Sequence, residues 1–275
     1  MSPSFYLKYK NMEIIRFDIF NNKWKSLAST LIILLGLSLF LFVSGSYTAF
    51  GIKLYSKHDE PFGISQIDWL SKYWNWWVSI SINEVEDIKG HGGCLINKTG
   101  SVVMVAELTL GKVNPVLECD ISSNQAILVP LWIAWCDSGN DADYKIDRPK
   151  ITWAECARER YNTGHIKSEA KVDGAYVAKM DVYSLPDKSK NRILYLNNVT
   201  EIYGNTTDFT LILPENNHKV LKAGTFVAGS HGWFIFLKPL SPGKHELEYT
   251  NTVQPIGGIT GTINEAAIKY IFNVK

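Results

Sequence analysis

The 275-residue chain lacks the motifs by which most enzymes and nucleic-acid-binding proteins are recognised. It contains no H-E-x-x-H, no G-x-S-x-G and no C-x-x-C motif, and its glycines do not follow a phosphate-binding spacing. It also lacks an excess of charge, because 28 basic residues balance 27 acidic ones, whereas a nucleic-acid-binding domain would carry a basic face. The sequence therefore excludes nucleic acid as an expected partner and names no reaction.

Charge is wholly missing from residues 26–52. About 20 apolar residues are enough to cross the hydrocarbon core of a bilayer as a helix. The preceding residues 1–25 carry five basic and two acidic side chains, and positive flanks stay in the cytoplasm. We therefore predict a cytoplasmic segment at 1–25, a transmembrane signal anchor at 26–52, a linker at 53–64 and an extracellular domain at 65–275. The alternative is a signal peptide cleaved at the small residues that follow the apolar run.

Cysteine is scarce, and its four positions all follow the apolar segment: Cys94, Cys119, Cys136 and Cys156. An even number in an exported domain predicts two disulfide bonds, with three possible pairings. The apolar run 125–135 is typical of an extended strand, which places Cys136 roughly 35 Å from its start and disfavours a bridge from Cys119 to Cys136. We expect the sequential pairs, Cys94 with Cys119 and Cys136 with Cys156.

Three Asn-x-Ser/Thr triplets also follow the apolar segment, at Asn97, Asn198 and Asn205. If the source organism glycosylates exported proteins, each marks a glycosylated, exposed loop. Triplets of this kind occur by chance about once or twice in a chain of this length, so they add little to the case for export.

Four of the nine tryptophans fall in one predicted helix, residues 65–79. At 100° per residue, Trp74 and Trp77 lie at the centre of a wide apolar arc, and Trp69 and Trp76 lie nearer its edge. A wide arc is typical of a helix that covers the open end of a sheet sandwich, and the alternative is an exposed aromatic platform for a partner, a sugar or the membrane surface. We expect Trp74 and Trp77 in the core, and a docking or stacking role for Trp69 and Trp76.

Beyond Gly90 the pattern is that of short strands separated by turns. Buried strands are predicted over 101–110 and 125–135, a hairpin turns at Asp173-Gly174, and a short helix covers 153–161. Further strands are predicted over residues 192–196, 209–213, 233–237, 244–250 and 267–274. This arrangement predicts a mainly β domain, an antiparallel β-sandwich or jelly roll that carries the Trp-rich helix.

Acidic residues cluster in the loop 137–147, where Asp137, Asp141 and Asp143 offer oxygen ligands for calcium, the one cofactor that the sequence suggests. The EF-hand spacing is not met, because Ala142 and Arg148 occupy the sixth and twelfth positions, so a solvated turn-rich loop is the simpler interpretation.

Two histidines form a second candidate metal site. His231 precedes the predicted strand 233–237 and His245 lies in the predicted strand 244–250, and we expect these strands to pair as a hairpin through Ser241-Pro242-Gly243. Neighbouring strands would bring the two rings together, although a histidine beside a turn is more often bonded locally.

Several motifs in a fixed order resemble an uncharacterised family of exported bacterial and archaeal proteins. They are a Trp-rich helix after an FG pair, the four cysteines around an apolar strand, A-E-C-A-R-E-R-Y, V-D-G and a late P-L-S-P-G-K-H turn, and they extend over residues 61–250. The chain departs from the family at Glu248, where a second histidine is frequent, and in the longer segment 137–150. The resemblance implies an exported, disulfide-bonded β fold and no particular reaction.

The sequence as a whole predicts a membrane-anchored extracytoplasmic protein that binds or assembles, an accessory component of a cell-envelope or membrane complex. Its expected partners are the lipid bilayer, through residues 26–52, and other membrane or envelope proteins. One alternative is a jelly roll that binds a carbohydrate or a small ligand through its aromatic side chains. A weaker alternative is a metal-dependent hydrolase, which would need His231, His245 and the acidic loop to converge on one cleft.

Overall fold

Two mixed β-sheets and a Trp-rich helix account for most of the described chain in the computed structural model, which is mainly β. The described residues are 51–91, 93–97, 100–106, 116–146, 148–161, 164–185, 192–197, 200–202, 208–254 and 264–275. The predicted anchor at 26–52 therefore lies outside them except for its last two residues. Among the described residues, none of the helices has the length and apolar character needed to cross a membrane.

Among the described residues, the first sheet contains six strands. Its strand order is β1-β2-β4-β10-β8, and β9 also pairs with β10. The strands are β1 (Ile96–Asn97), β2 (Val102–Val105), β4 (Ala126–Asp137), β8 (Thr200–Ile202), β9 (Phe209–Leu213) and β10 (Gly224–Leu237). Strand β4 confirms the buried strand predicted over 125–135, and it is buried along nearly its whole length.

The second sheet also contains six strands, in the order β3-β12-β11-β5-β6-β7. They are β3 (Val116–Ile121), β5 (Gly164–Val172), β6 (Ala175–Ser184), β7 (Arg192–Asn197), β11 (Gly243–Gln254) and β12 (Asn264–Val274). Strands β5 and β6 form the predicted hairpin, whose turn places Asp173 and Gly174 at φ 51° and 77°. These left-handed angles suit Asp-Gly, so the hairpin prediction is confirmed for a local chemical reason.

The sequence had suggested that all strand pairs are antiparallel, but two of the described pairs are parallel. Strand β2 runs parallel to β4, and β3 runs parallel to β12. Between β2 and β4 the chain leaves the first sheet to form β3 in the second, and it then returns beside β2. A strand that returns in this way after a crossover enters the sheet in the same direction as its neighbour.

The predicted hairpin between β10 and β11 is wrong. Strand β10 pairs with β4, β8 and β9, whereas β11 pairs with β5 and β12 in the other sheet. The Ser241-Pro242-Gly243 turn therefore carries the chain from one sheet to the other. Two alternating strands joined by a tight turn have the same pattern whether they pair or separate, so the pattern did not distinguish the two outcomes.

In the part of the chain that the structure describes, four α-helices accompany the sheets: α1 (Gln66–Ser79), α2 (Ile82–His91), α3 (Ala142–Ile146) and α4 (Trp153–Tyr161). Helices α1 and α4 confirm the two predicted helices. Ser65 is the N-cap of α1, since its Oγ accepts a hydrogen bond from the backbone N–H of Asp68 and donates one to the Asp68 carboxylate. Helix α1 packs against β9 and β10 on one face of the first sheet.

Strands β4 and β10 carry α1 on one face and α4 on the other. The α1 face is marked by Trp135, whose ring lies 4.5 Å from that of Trp74. On the α4 face, a Cβ atom at Gly229 would lie 2.3 Å from the Ala154 nitrogen, so the helix approaches the strand more closely than any side chain permits. Cys136 bonds to Cys156 of α4 on this same face.

Both predicted disulfide bonds are present, Cys94–Cys119 and Cys136–Cys156. The first ties the segment before β1 to β3, where Glu118 also donates its backbone N–H to Gly93 O. One large hydrophobic core is shared by both sheets and α1, and a small separate cluster surrounds the second disulfide.

Two tyrosines of the second sheet bind the backbone of the first. The hydroxyl of Tyr270 accepts from Ala106 N and donates to Leu95 O, and the hydroxyl of Tyr249 donates to Ala106 O. Burial raises the pKa of Tyr270, and the hydrogen bond from Ala106 partly opposes this shift. Both backbone groups of Ala106 are thus satisfied across the core.

Candidate functional site

The Trp-rich helix does not present an exposed aromatic platform. Trp74 and Trp77 are buried, as expected, and the Nε1 of Trp74 donates to Ser230 Oγ at 2.8 Å. Trp69, predicted at the edge of the arc for docking, is instead 8% exposed, and its Nε1 donates to Pro61 O. Trp76 is half-buried against the core. Trp69 is therefore not exposed as the docking expectation requires, because the turn before the helix folds back and covers it.

The acidic loop is organised around its own backbone. Oδ1 of Asp137 accepts from the backbone N–H groups of Gly139 and Asn140, and Oδ2 accepts from Trp135 Nε1. Asp141 accepts from the backbone N–H of Asp137. Calcium would compete with these donors for the same oxygen atoms, so the arrangement is that of a self-capped turn.

The remaining members of the two predicted metal sites are far apart in the fold. Asp143 lies on the exposed side of α3. His231 is buried in β10 of the first sheet with its ring 5.0 Å from that of Trp233, whereas His245 lies in β11 of the second sheet. Within the described ranges, no group of three or more His, Cys, Asp or Glu side chains is placed to hold a metal ion. The structure does not bring the predicted ligands together.

His245 has a different role at the crossing between the sheets. Its Nδ1 lies 2.7 Å from Asp173 Oδ2, and its Nε2 lies 2.9 Å from Ser241 O and 3.3 Å from Ser241 Oγ. Asp173, His245 and Ser241 are arranged in the order of a Ser-His-Asp triad. The Nε2 of His245, which would accept the serine proton in a triad, instead lies closest to the backbone carbonyl oxygen of Ser241. The three residues join the β5–β6 hairpin to the turn before β11.

A polar surface covers the outward face of β5, β6 and β11 in the second sheet. A shallow depression of about 350 Å³ lies in it, and its side-chain lining includes Lys167, Glu169, Lys179, Asp181, Thr250 and Thr252. We call this surface the outer face. Its volume falls at the low end of the range for small-molecule sites, which is about 300–1,000 Å³.

Charges on the outer face form cross-strand pairs. Lys179 lies 3.4 Å from Glu169, and Lys167 lies 3.6 Å from Asp181. His165 also contacts Asp181, at 2.7 Å, and its ring stacks on Tyr183 at a centroid distance of 4.2 Å. Opposite charges directly across neighbouring strands stabilise a sheet modestly, and here they also hold polar groups in a fixed pattern.

Aromatic rings at both ends of this pattern are open to solvent. Tyr183 is 39% exposed, and Tyr176 is 51% exposed with the ammonium groups of Lys171 and Lys179 over its ring, at 4.7 and 3.4 Å. The outer face was missed at the level of sequence, although the alternation in H-I-K-S-E-A-K-V carries its signal: every second residue of β5 is polar and points outward.

Farther along the same sheet, Lys269 lies 2.8 Å from both Glu246 and Glu248. The hydrogen bond from Lys269 lowers the pKa of Glu248, and the hydrogen bonds to Glu246 and Glu248 raise the pKa of Lys269. Glu248 is thus part of a surface ion-pair network.

The predicted glycosylation sites are only partly described. Asn97 lies in β1, paired with Met104, and its half-buried amide contacts the Met104 sulfur at 3.9 Å. It is therefore part of a strand and not of an exposed loop. Asn198 and Asn205 lie outside the described residues.

A scan against protein-family models finds no match for the chain, and a search of curated proteins finds no similar sequence. The family resemblance rests on the motifs alone.

Proposed function

We propose that the protein is a single-pass membrane protein whose domain binds or assembles with other components outside the cell, as an accessory of an envelope or membrane complex. The observation that carries this proposal is the order of two features. A charge-free segment, residues 26–52, leads directly into a domain in which all four cysteines are paired. Disulfide bonds persist in oxidising compartments outside the cytoplasm.

The proposal also includes the fold of the domain, a β-sandwich of the jelly-roll kind. Two six-stranded sheets that share one core support a β-sandwich of the jelly-roll kind, with α1 over one outer surface. A sandwich of this kind is a rigid support whose free sheet face is available to partners.

Binding is favoured over catalysis by the separation of the candidate catalytic side chains. Asp137 is occupied by its own loop, His231 is buried in β10 with its ring against Trp233, and His245 is bonded between Asp173 and Ser241. By contrast, the outer face groups charges and exposed rings on one rigid surface.

Fusions at the two chain ends test the topology. Alkaline phosphatase fused after Lys275 should be active and green fluorescent protein in the same position dark, whereas fluorescent protein fused before Met1 should fluoresce in the cytoplasm. A fluorescent C-terminal fusion with an inactive phosphatase would contradict the proposal. A signal-peptide reading would be favoured if the N-terminal tag were released from the mature chain.

A polar small ligand or carbohydrate is the second candidate, favoured by the depression on the outer face. Sugars stack on exposed tyrosine rings and bond to carboxylate, ammonium and hydroxyl groups, all of which line or flank this depression. A glycan array probed with the protein tests it. Thr250→Val should abolish any signal, and Thr225→Val, an exposed position on β10, should retain it; an array without signal would contradict this candidate.

A further inference from the structure

Two exposed apolar side chains occupy a backbone conformation that such residues rarely adopt. Phe62 has φ 57° and is 46% exposed, and Val220 has φ 54° and is 76% exposed. Glycine or asparagine would fit the left-handed region at lower cost. The two residues therefore share exposure and backbone conformation and differ in where they lie on the domain.

Phe62 and Val220 lie at opposite ends of α1. Phe62 belongs to the Pro61–Gly63 turn that precedes the helix, and Val220 lies in the loop that contacts the helix end, where His218 donates its backbone N–H to Ile80 O. A helix of 14 residues is roughly 21 Å long. Each residue is therefore a matched control for the other.

Phe62 lies at the end where the chain enters the domain. Lys53 O accepts from Lys238 N at 2.8 Å, and Leu54 pairs with Leu237, the last residue of β10. The entering chain runs antiparallel to the end of β10, which places Lys53 just beyond the last residue of that strand. The Pro61–Gly63 turn is held at the same end, since Trp69, which bonds to Pro61 O, also packs on Phe236.

Rigid contacts present the Phe62 turn to solvent. Nε2 of Gln66 donates to Ser56 O and Asp59 O. The carboxylate of Asp59 accepts from Ser56 N and Ser56 Oγ, and the first of these bonds is the main cause of its lowered pKa. The segment before Phe62 is thus fastened at both ends.

Lysines surround the same end. Lys53 and Lys57 are exposed in the entering segment, and Lys238, whose backbone N–H donates to Lys53 O, lies over the ring of Tyr55 at 5.0 Å. Aromatic rings and lysines together are typical of protein surfaces at the membrane interface, where the ring enters the headgroup region and the ammonium groups remain at its surface.

We infer that the Phe62 turn contacts the outer surface of the bilayer that anchors the chain, with the Phe62 ring inserted among the lipid headgroups. This inference rests on the proposed function, because residues 26–52 end one residue before Lys53. The occupant is lipid: the charge-free segment is joined directly to Lys53, so a bilayer that holds this segment lies only about ten residues along the chain from Phe62.

Photo-crosslinking of the full chain in lipid nanodiscs tests the contact. The nanodiscs would contain a phospholipid with a photoactivatable group just below its headgroup, and mass spectrometry would map the lipid adducts. Phe62→Asn and Val220→Asn form the matched pair, because asparagine tolerates the left-handed backbone and both changes remove an exposed apolar side chain.

The expected result is adduct formation on the peptide that contains Phe62 and none on the peptide that contains Val220. Phe62→Asn should reduce adducts on its segment about fivefold. The variant loses the favourable transfer of the exposed part of the phenylalanine ring from water into the lipid interface. Val220→Asn should leave them unchanged. Equal adducts in the wild type and Phe62→Asn, or an equal loss in Val220→Asn, would overturn the inference.

Failure of the proposed function has a different signature. A full chain that does not enter nanodiscs at all overturns both the membrane anchor and the lipid contact. A chain that enters them, with adducts on residues 26–52 and none near Phe62, overturns the lipid contact alone.

Discussion

The side-chain amide of Asn75 closes the open edge of strand β9 at Thr210. Its Nδ2 donates to Thr210 O at 2.8 Å, and its Oδ1 accepts from Ile212 N at 3.0 Å. These are the two contacts that a neighbouring strand would make. An uncovered edge is a template for pairing with another chain, so α1 protects the first sheet as well as burying its tryptophans.

Asn75→Ala should destabilise the domain by about 0.5–1.5 kcal/mol, because it removes two hydrogen bonds to strand groups that water can reach. The stability of Asn75→Asp should fall between that of the wild type and that of Asn75→Ala, since a carboxylate can accept from Ile212 N but cannot donate to Thr210 O. Chemical denaturation of the three proteins checks the order. Asn216→Ala, at an exposed side chain, is the control and should change little; a loss at Asn216 as large as that at Asn75 would contradict the edge role.

Burial of Trp69 changes the order expected for tryptophan substitutions. Trp69→Ala and Trp74→Ala should each cost about 3–5 kcal/mol, and Trp76→Ala distinctly less, because Trp76 is only half-buried. Thermal melts of the single variants measure this. If Trp69→Ala left the melting temperature unchanged and abolished a binding activity, the docking interpretation would be restored.

The two disulfide bonds should stabilise the domain separately. They close segments of 25 and 20 residues, for which loop-closure estimates give roughly 3 kcal/mol each. Paired Cys→Ala substitutions in each bridge, compared by denaturation under non-reducing conditions, check the values. Peptide mapping without reductant should recover Cys94 with Cys119; recovery of Cys94 with any other cysteine would show that the pairing is wrong.

Stability should depend on pH through Glu248. Its pKa in the folded protein is lowered from 4.5, mainly by the hydrogen bond from Lys269, so its contribution is present above that value and disappears as pH falls through the lowered pKa. Glu248→Gln should therefore be slightly less stable than the wild type at neutral pH and equal to it in strong acid. Denaturation across the acid range, with the exposed Glu215→Gln as control, tests the sign. A difference that grows on acidification would contradict it.

Local chemistry made much of the fold predictable. The capping serine at 65, the Asp173-Gly174 turn and the apolar run that forms β4 each determine their structure within a few residues. Choices between distant partners were not predictable in this way. The strand pattern on either side of Ser241-Pro242-Gly243 is the same for a hairpin as for a crossing between sheets. In the structure this turn joins β10 of the first sheet to β11 of the second.

The candidate site shows the same limit. The burial of Trp69 depends on the Pro61 carbonyl, which a helical projection does not include. The outer face depends on the order β11-β5-β6, which places Thr250 beside Glu169 and Glu169 beside Lys179. Alternation within each strand shows which residues point outward, but only the order of the strands shows which of them meet.

Labelling of lysines by a membrane-impermeant reagent tests the central claim most directly. On right-side-out vesicles that contain the full chain, Lys167 and Lys244 should react, and Lys8, Lys10 and Lys23 should react only after the membrane is permeabilised. The second group lies before the apolar segment and the first lies on the exposed surface of the domain. Labelling of Lys8 in sealed vesicles together with protection of Lys167 would reverse the orientation, and with it the proposed role outside the cell.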